Sequence, residues 1–447
     1  MLCATTSLRS FALAFVVHVA VSMSACQDTP TGGPWCADRF TAVPITSASV
    51  TWSQHIAAIA LAKCAGCHAA GGVAPFPLQS PQDFSKHAAA SRTAIANRTM
   101  PPWQAHRCCS PYLDDFSLTN EEVAVMLRWF EDGTPVGPAT APTPVVAALG
   151  GVSRVDAVLK APAYTPKPPA GKTDEVRCFV LDPPAGDRPF LTGFSPRPGA
   201  RSIVHHLILA AIDGDDAAQV RKTEGVDGRP GVECAGGLGK VRSAVILGGG
   251  LQGGDFPRSI GRKLAADHKL LLNIHYSLAS LPPGAPTPQD QTEIDLRLDT
   301  TAREAKGLVV ANPAWLIGDA MFVGAGQKDA AFWFSYTPTL LTAGKTAFLQ
   351  SVTPHLHALA SRVALRIERK DGSSTCLLEI PRWQFGWERP YWLQTPIALD
   401  PADKLYIECH FDNSAENQGS GAPPADFAWG EGGQDMCAGF LTWTETP

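Results

Sequence analysis

Two hydrophobic rhythms divide the chain. In the first third, apolar positions recur at helical spacing. Trp52, Ile56, Ile59 and Ala60 share one face, and Val123, Met126, Leu127 and Phe130 fall at i, i+3, i+4 and i+7. Thr119 followed by Glu122 is a capping-box signature opening the second of these helices, and Gly133 and Pro135 stop it. From about residue 150 the period becomes two. Val363, Leu365 and Ile367 alternate with Arg362, Arg366 and Glu368, which predicts a strand with aliphatic side chains inward and charged ones outward. Similar runs at 203–211, 269–276, 346–353, 404–411 and 438–443, separated by turn clusters, predict a β-sandwich architecture. The Pro/Ala/Thr-rich stretch 138–144 has linker composition and marks a boundary between the two regimes.

Composition narrows the classes. With 447 residues, 45% of them apolar, the chain can bury several cores, and 40 Gly and 38 Pro suit many short strands better than long helices. A net charge of −5 without a basic block excludes nucleic acid as an expected partner. Phe11 to Val21 is an apolar run preceded by Arg9, as in a secretory signal segment. Met23-Ser24-Ala25-Cys26 is similar to a bacterial lipobox, so residues 1–25 read as a signal peptide and Cys26 as a lipidated first residue. Ordinary cleavage near Ala25 is the alternative. Both place the chain in the cell envelope (periplasm or outer membrane lipoprotein) or outside the cell, where disulfides persist among the 12 Cys.

Cys64-Ala65-Gly66-Cys67-His68 is the C-x-x-C-H pattern of covalent c-type haem attachment: two thiols reach the vinyl groups and the adjacent imidazole reaches iron. A helix before it, a Met-bearing loop after it and a closing helix resemble a small cytochrome c over residues 46–138. Met100, in Thr99-Met100-Pro101-Pro102-Trp103, is the expected sixth ligand, because prolines hold a loop extended without a helix behind it. Met/His ligation raises the haem potential, as an electron carrier needs. His87 and His106 are the alternative partners for iron, and Met126 is read as core.

In the second half the histidines are grouped. His205 and His206 lie in Ile203 to Leu209, His275 precedes Tyr276, His355 and His357 form H-x-H, and Met436 precedes Cys437. H-x-H on a strand puts both imidazoles on one face, whereas adjacent histidines converge on one metal only where the strand bends or ends. Imidazole suits several metals and a thioether selects soft Cu(I). No carboxylate lies within a few residues of the H-x-H, and no second C-x-x-C is present, so the set reads as a His₃ and a His₂Met copper pair.

That order of motifs resembles the type II copper, ascorbate-dependent monooxygenases, such as the peptidylglycine α-hydroxylating and dopamine β-monooxygenases, over roughly residues 150–447. Arg177-Cys178-Phe179 and Pro198-Gly199 are similar as well. The resemblance implies that His205, His206 and His275 hold an electron-storing copper, and that His355, His357 and Met436 hold a copper that binds O2. It also implies Cys178–Cys234 and Cys409–Cys437 disulfides. Cys36, Cys108, Cys109 and Cys376 stay unassigned, a vicinal Cys108–Cys109 bridge and a Cys36 pairing both being open. The peptide-amidating members anchor a substrate carboxylate with an Arg, an Asn and a Tyr where this chain has Thr353, Ala438 and Phe440. A charged anchor is thus missing, unless Arg382 supplies one, and part of the aromatic cluster Trp383, Trp387, Tyr391 and Trp392 is expected to line an apolar pocket.

The sequence therefore predicts a multidomain chain. The resemblances imply that a small all-α cytochrome c domain (46–138) precedes two antiparallel, jelly-roll-like β-sandwich copper domains (150–300 and 301–447) that face each other across a solvent-open cleft. The expected activity is hydroxylation of a C–H bond in a small neutral or apolar substrate. The expected cofactors are two copper ions and one covalently bound haem c. The expected partners are O2, the substrate, an ascorbate-like or protein electron donor, and a membrane through the lipid anchor. A non-catalytic copper and haem electron-transfer or copper-binding protein is the rival reading.

Overall fold

A computed structural model describes residues 49–70, 74–138, 151–170, 173–234, 245–249, 253–278, 284–316, 320–418, 423–430 and 435–447, with residues 36, 45, 241 and 281–282 besides. The expected signal segment 1–25 and Cys26 lie outside the described residues, as does most of the linker at 138–144.

The architecture corrects the expected all-α cytochrome c domain followed by two antiparallel, jelly-roll-like sandwiches. The protein is mostly β, 36% strand against 17% helix, and its four larger sheets have a propeller-like arrangement. These sheets contain six, five, four and four strands, and a parallel pairing of Arg303–Glu304 with Ile260–Lys263 breaks the antiparallel pattern. The reason is physical: side-chain alternation reports that a segment is a strand, but not which strand lies beside it. Two hydrophobic clusters fill the β portion. One gathers Phe179, Leu207, Leu209 and Leu272 with Leu191, Ile260 and Ile294, from the five- and six-stranded sheets. The other gathers Leu349, Val352 and Leu441 with Val363, Leu365 and Ile407, from the two four-stranded sheets.

The helical part is built from short elements, Trp52–Ile56, Ala57–Lys63, Pro81–Lys86, Ala88–Ala96 and Asn120–Glu131. Thr119 caps the last of these through the reciprocal capping box. Trp52, Phe84, Met126 and Trp129 are buried between them, with the Trp52 and Trp129 rings 5.7 Å apart. This part is not self-contained, because the chain between its helices leaves it. Trp103, Ala105 and Tyr112 belong to the second β cluster. Leu113 N–H donates to Trp392 O (2.8 Å), the Tyr112 hydroxyl donates to Leu377 O (2.9 Å), and a Cys109–Cys376 disulfide makes the junction covalent.

That junction also corrects the reading of Arg366 as solvent-facing. Val363, Leu365 and Ile367 are buried as expected, but Arg366 is buried too, in an ion pair with Glu379 (2.9 Å). The 103–113 segment and Cys36 cover that face: His106 N–H donates to Glu379 O, and Cys36 N–H donates to the Glu379 carboxylate. Buried charge is tolerated here because it is paired and hydrogen-bonded.

Among the described residues four disulfides form: Cys36–Cys108, Cys109–Cys376, Cys178–Cys234 and Cys409–Cys437. The last two are the pairs implied by the resemblance, and the first two decide the open cysteines against a vicinal bridge. Such disulfides belong to an oxidising, extracytoplasmic setting. Among the described residues no helix is long and apolar enough to cross a membrane.

Candidate metal centre

Strands Val204–Ile212 and Lys269–Ser277 are antiparallel neighbours, and Asp174–Leu181 flanks the second. In a regular ladder His205 and His206 would face opposite ways. The register shifts between Val204 and His206, so His206 pairs with His275 directly after Val204 has paired with Tyr276. A bulge of this kind re-aims a side chain, and it meets the condition set by two adjacent histidines. The ligand nitrogens of His205, His206 and His275 all lie within 4.8 Å of one another. The rings of His206 and His275 are 4.8 Å apart and those of His205 and His275 are 5.2 Å apart.

Burial favours the neutral imidazole at His205 and His206. Burial, with His275 adding to it, pushes His205 down to about 4. Burial likewise holds His206 well below its ordinary value, opposed by a hydrogen bond to the Gly386 backbone. Neutral imidazole is the metal-binding form. His275 Nε2 is 2.9 Å from the Asp174 carboxylate, and its buried Nδ1 has no hydrogen-bond partner. A carboxylate on one ring nitrogen orients the other toward a ligand, so the three residues fit a metal of the kind imidazole binds.

The resemblance motifs around this site have structural work. Gly199 leaves room that a Cβ would fill, 2.8 Å from Gln291 N. Arg177 is fully buried and donates to the Asp227 carboxylate and to the Pro230, Arg229 and Gly231 carbonyls, holding the segment ahead of Cys234.

The second group assembles differently. Strand Ala347–His355 ends on its first histidine, and His357 lies beyond the strand end. The two rings are 5.4 Å apart and nearly perpendicular. His355 Nδ1 is 3.0 Å from the buried Glu388 carboxylate. Asp435 sits between the H-x-H and the Met. One of its oxygens accepts from His357 N–H and Met436 N–H (2.7 Å each), the other from Leu359 N–H (2.9 Å). Met436 is thereby fixed beside His357. Burial pushes the Asp435 carboxyl up to about 7, against the three N–H groups that hold it down. Two imidazoles and a thioether are the donor types a soft cation takes.

Glu388 and Asp435 were not legible as partners because they lie 33 and 78 residues from the histidines they hold. The available signals were the Glu closing the aromatic run and the Asp next to Met436. Thr353 pairs with Phe440 and His355 with Ala438 across the sheet, and the Phe440 ring is 5.6 Å from His355. Arg382 is exposed. The aromatic cluster is dispersed: Trp383 and Tyr391 are core, Trp392 packs on Phe256, and Trp387 lies 5.3 Å from His205.

At the third motif, one turn of chain joins Cys64, Cys67 and His68. Cys64 caps the helix Ala57–Lys63, and His68 N–H donates to Cys64 O. Both cysteines are free thiols, and burial pushes Cys64 up to about 12. His68 Nδ1 is 2.8 Å from Phe76 O, and burial lowers its basicity. A ring whose Nδ1 donates to a carbonyl presents Nε2 as a ligand, so the motif fits haem attachment. Met100 is half-buried after the helix Ala88–Ala96, its N–H directed to Ala94 O. His87 stacks on Phe76 (4.0 Å), and His106 is grouped with the bridged Cys36 and Cys108.

No family model matches the chain, and no curated protein matches it. Among solved structures, one of infectious bursal disease virus, Gx strain, shares 8% identity over 66% of this chain and 76% of that chain, at a TM-score of 0.17. A likeness this slight carries no argument.

Proposed function

We propose that the protein is an exported copper monooxygenase, similar in its ligand order to the ascorbate-dependent type II enzymes. It would hydroxylate a C–H bond of a small neutral or apolar molecule with O2. The observation that carries this reading is the bulge at His205, which brings three histidines together in the sheet, while His355 and His357 form a separate pair and Asp435 ties the backbone of His357 to that of Met436. His205, His206 and His275 would hold one copper, and His355, His357 and Met436 the other. Cys64, Cys67, His68 and Met100 would hold a c-type haem. Bound there, these groups supply one-electron transfer and O2 activation, with an ascorbate-like or protein donor as the electron source. Four disulfides support export, and the lipobox-like Cys26 supports a lipid anchor in the cell envelope.

The chain's own residues prepare and shape the sites. Asp174 and Glu388 each take one nitrogen of a ligand imidazole, fixing ring orientation. Asp435 ties the H-x-H turn to Met436. Phe440 presents an apolar ring beside His355, with Ala438 its neighbour but one. A substrate carboxylate would find no arginine at these positions, and burying it unpaired costs free energy. A neutral or aromatic substrate incurs no such cost.

The test is a screen of small neutral aromatics with metal-loaded protein, reductant and isotopically labelled O2. One labelled oxygen atom is expected in the product and the other in water. Reduced, metal-loaded protein that does not consume O2 with any substrate would instead make it an electron carrier.

A further inference from the structure

One short segment reaches every histidine of both groups. Residues 383–388 connect strand Ser374–Ile380 to strand Tyr391–Leu399. Trp383 Nε1 donates to His357 O (2.9 Å). The Phe385 ring lies 6.2 Å from His206, 5.8 Å from His275 and 5.8 Å from His357, so it stands between the two groups. Gly386 is so close that a Cβ there would come within 2.5 Å of His205 Cε1. The Trp387 ring lies 5.3 Å from that of His205, tilted against it, and Glu388 holds His355. The segment is itself clamped from the helical part: Gln104 Nε2 donates to Trp387 O (3.1 Å) and Gln384 N–H donates to Gln104 Oε1 (2.5 Å).

From these contacts we infer that residues 383–388 are a positioning strap that sets the spacing of the two metal sites, with Phe385 as the spacer and Gly386 as the point where the first site meets it. This rests on the metal reading above and departs from two sites facing each other across open water. The rings on either side of Phe385 belong to the five-stranded sheet and to the turn that follows strand Ala347–His355, so their separation is set by what fills the gap. A planar ring in contact with three imidazoles leaves that gap little freedom, because closely packed contacts permit few alternative arrangements. Gly386 adds a steric condition: any side chain must displace the His205 ring.

The test uses the full chain loaded with Cu(II) and reads the distance between the two ions by pulsed electron paramagnetic resonance. Wild type should give one narrow distance distribution. Phe385→Ala should shift and broaden it while the copper content stays unchanged. Loss of copper from this variant, with a native circular dichroism spectrum, would contradict the spacer role, since a spacer holds the gap and not the ions. Gly386→Ala should weaken copper binding at the His205 site about tenfold, the scale of outer-shell substitutions, and leave the other site's spectrum intact. A Phe385→Ala distribution identical to wild type, or wild-type affinity in Gly386→Ala, overturns the strap while leaving the metal reading standing. Wild-type protein that takes up no copper overturns both.

Discussion

The two histidine groups reach similar ligand sets by different means. His205, His206 and His275 sit on paired strands, and a single ladder irregularity converges them. His355, His357 and Met436 sit where strands end or begin, and distant carboxylates hold them: Glu388 on the ring of His355, Asp435 on the backbone of His357 and Met436. The first group depends on backbone hydrogen bonds shared with a whole sheet. The second depends on a few buried side chains, which makes it easier to break selectively.

The largest effect should come from Asp435→Ala. The buried His357 N–H loses its partner at about 1–3 kcal/mol, and the part-buried Leu359 and Met436 N–H groups lose theirs at about 1 kcal/mol each, so the destabilisation should be about 3–5 kcal/mol by denaturant titration. Copper should be lost from the Met436 site and kept at the other. Opening Cys409–Cys437 by a double Ser substitution should cost about 2–4 kcal/mol and perturb the same site, since Cys437 adjoins Met436. Equal perturbation of both sites would contradict the division. Met436→Leu keeps the side-chain volume and should remove sulfur scattering from the copper X-ray absorption spectrum, with the His205 site unaltered. The smallest effect belongs to the first group: Asp174→Asn should reduce its copper affinity about tenfold, with no change at the second.

The same contrast explains how much was legible in the sequence. The capping box at Thr119 and the strand-forming runs are local patterns, and each appears in the chain as read. The need for a bend at His205-His206 was legible too, because adjacent residues on a strand face oppositely; the bulge is its solution. Sheet arrangement was not legible, since pairing partners lie far apart in sequence. Nor was the burial of Arg366: its alternation with Val363, Leu365 and Ile367 is genuine, but the 103–113 segment covers the face it occupies. Glu388, Asp435 and the strap around Phe385 join the site only through long-range packing.

We propose that one chain holds two different metal sites, only one of which carries a thioether. Copper loading of the full-length protein under reducing conditions, followed by metal quantitation and X-ray absorption, tests this most directly. Two coppers per chain are expected, with nitrogen ligands and one sulfur shared between the pair, the sulfur disappearing in Met436→Leu. A single copper, or a spectrum without sulfur in the wild type, would contradict it.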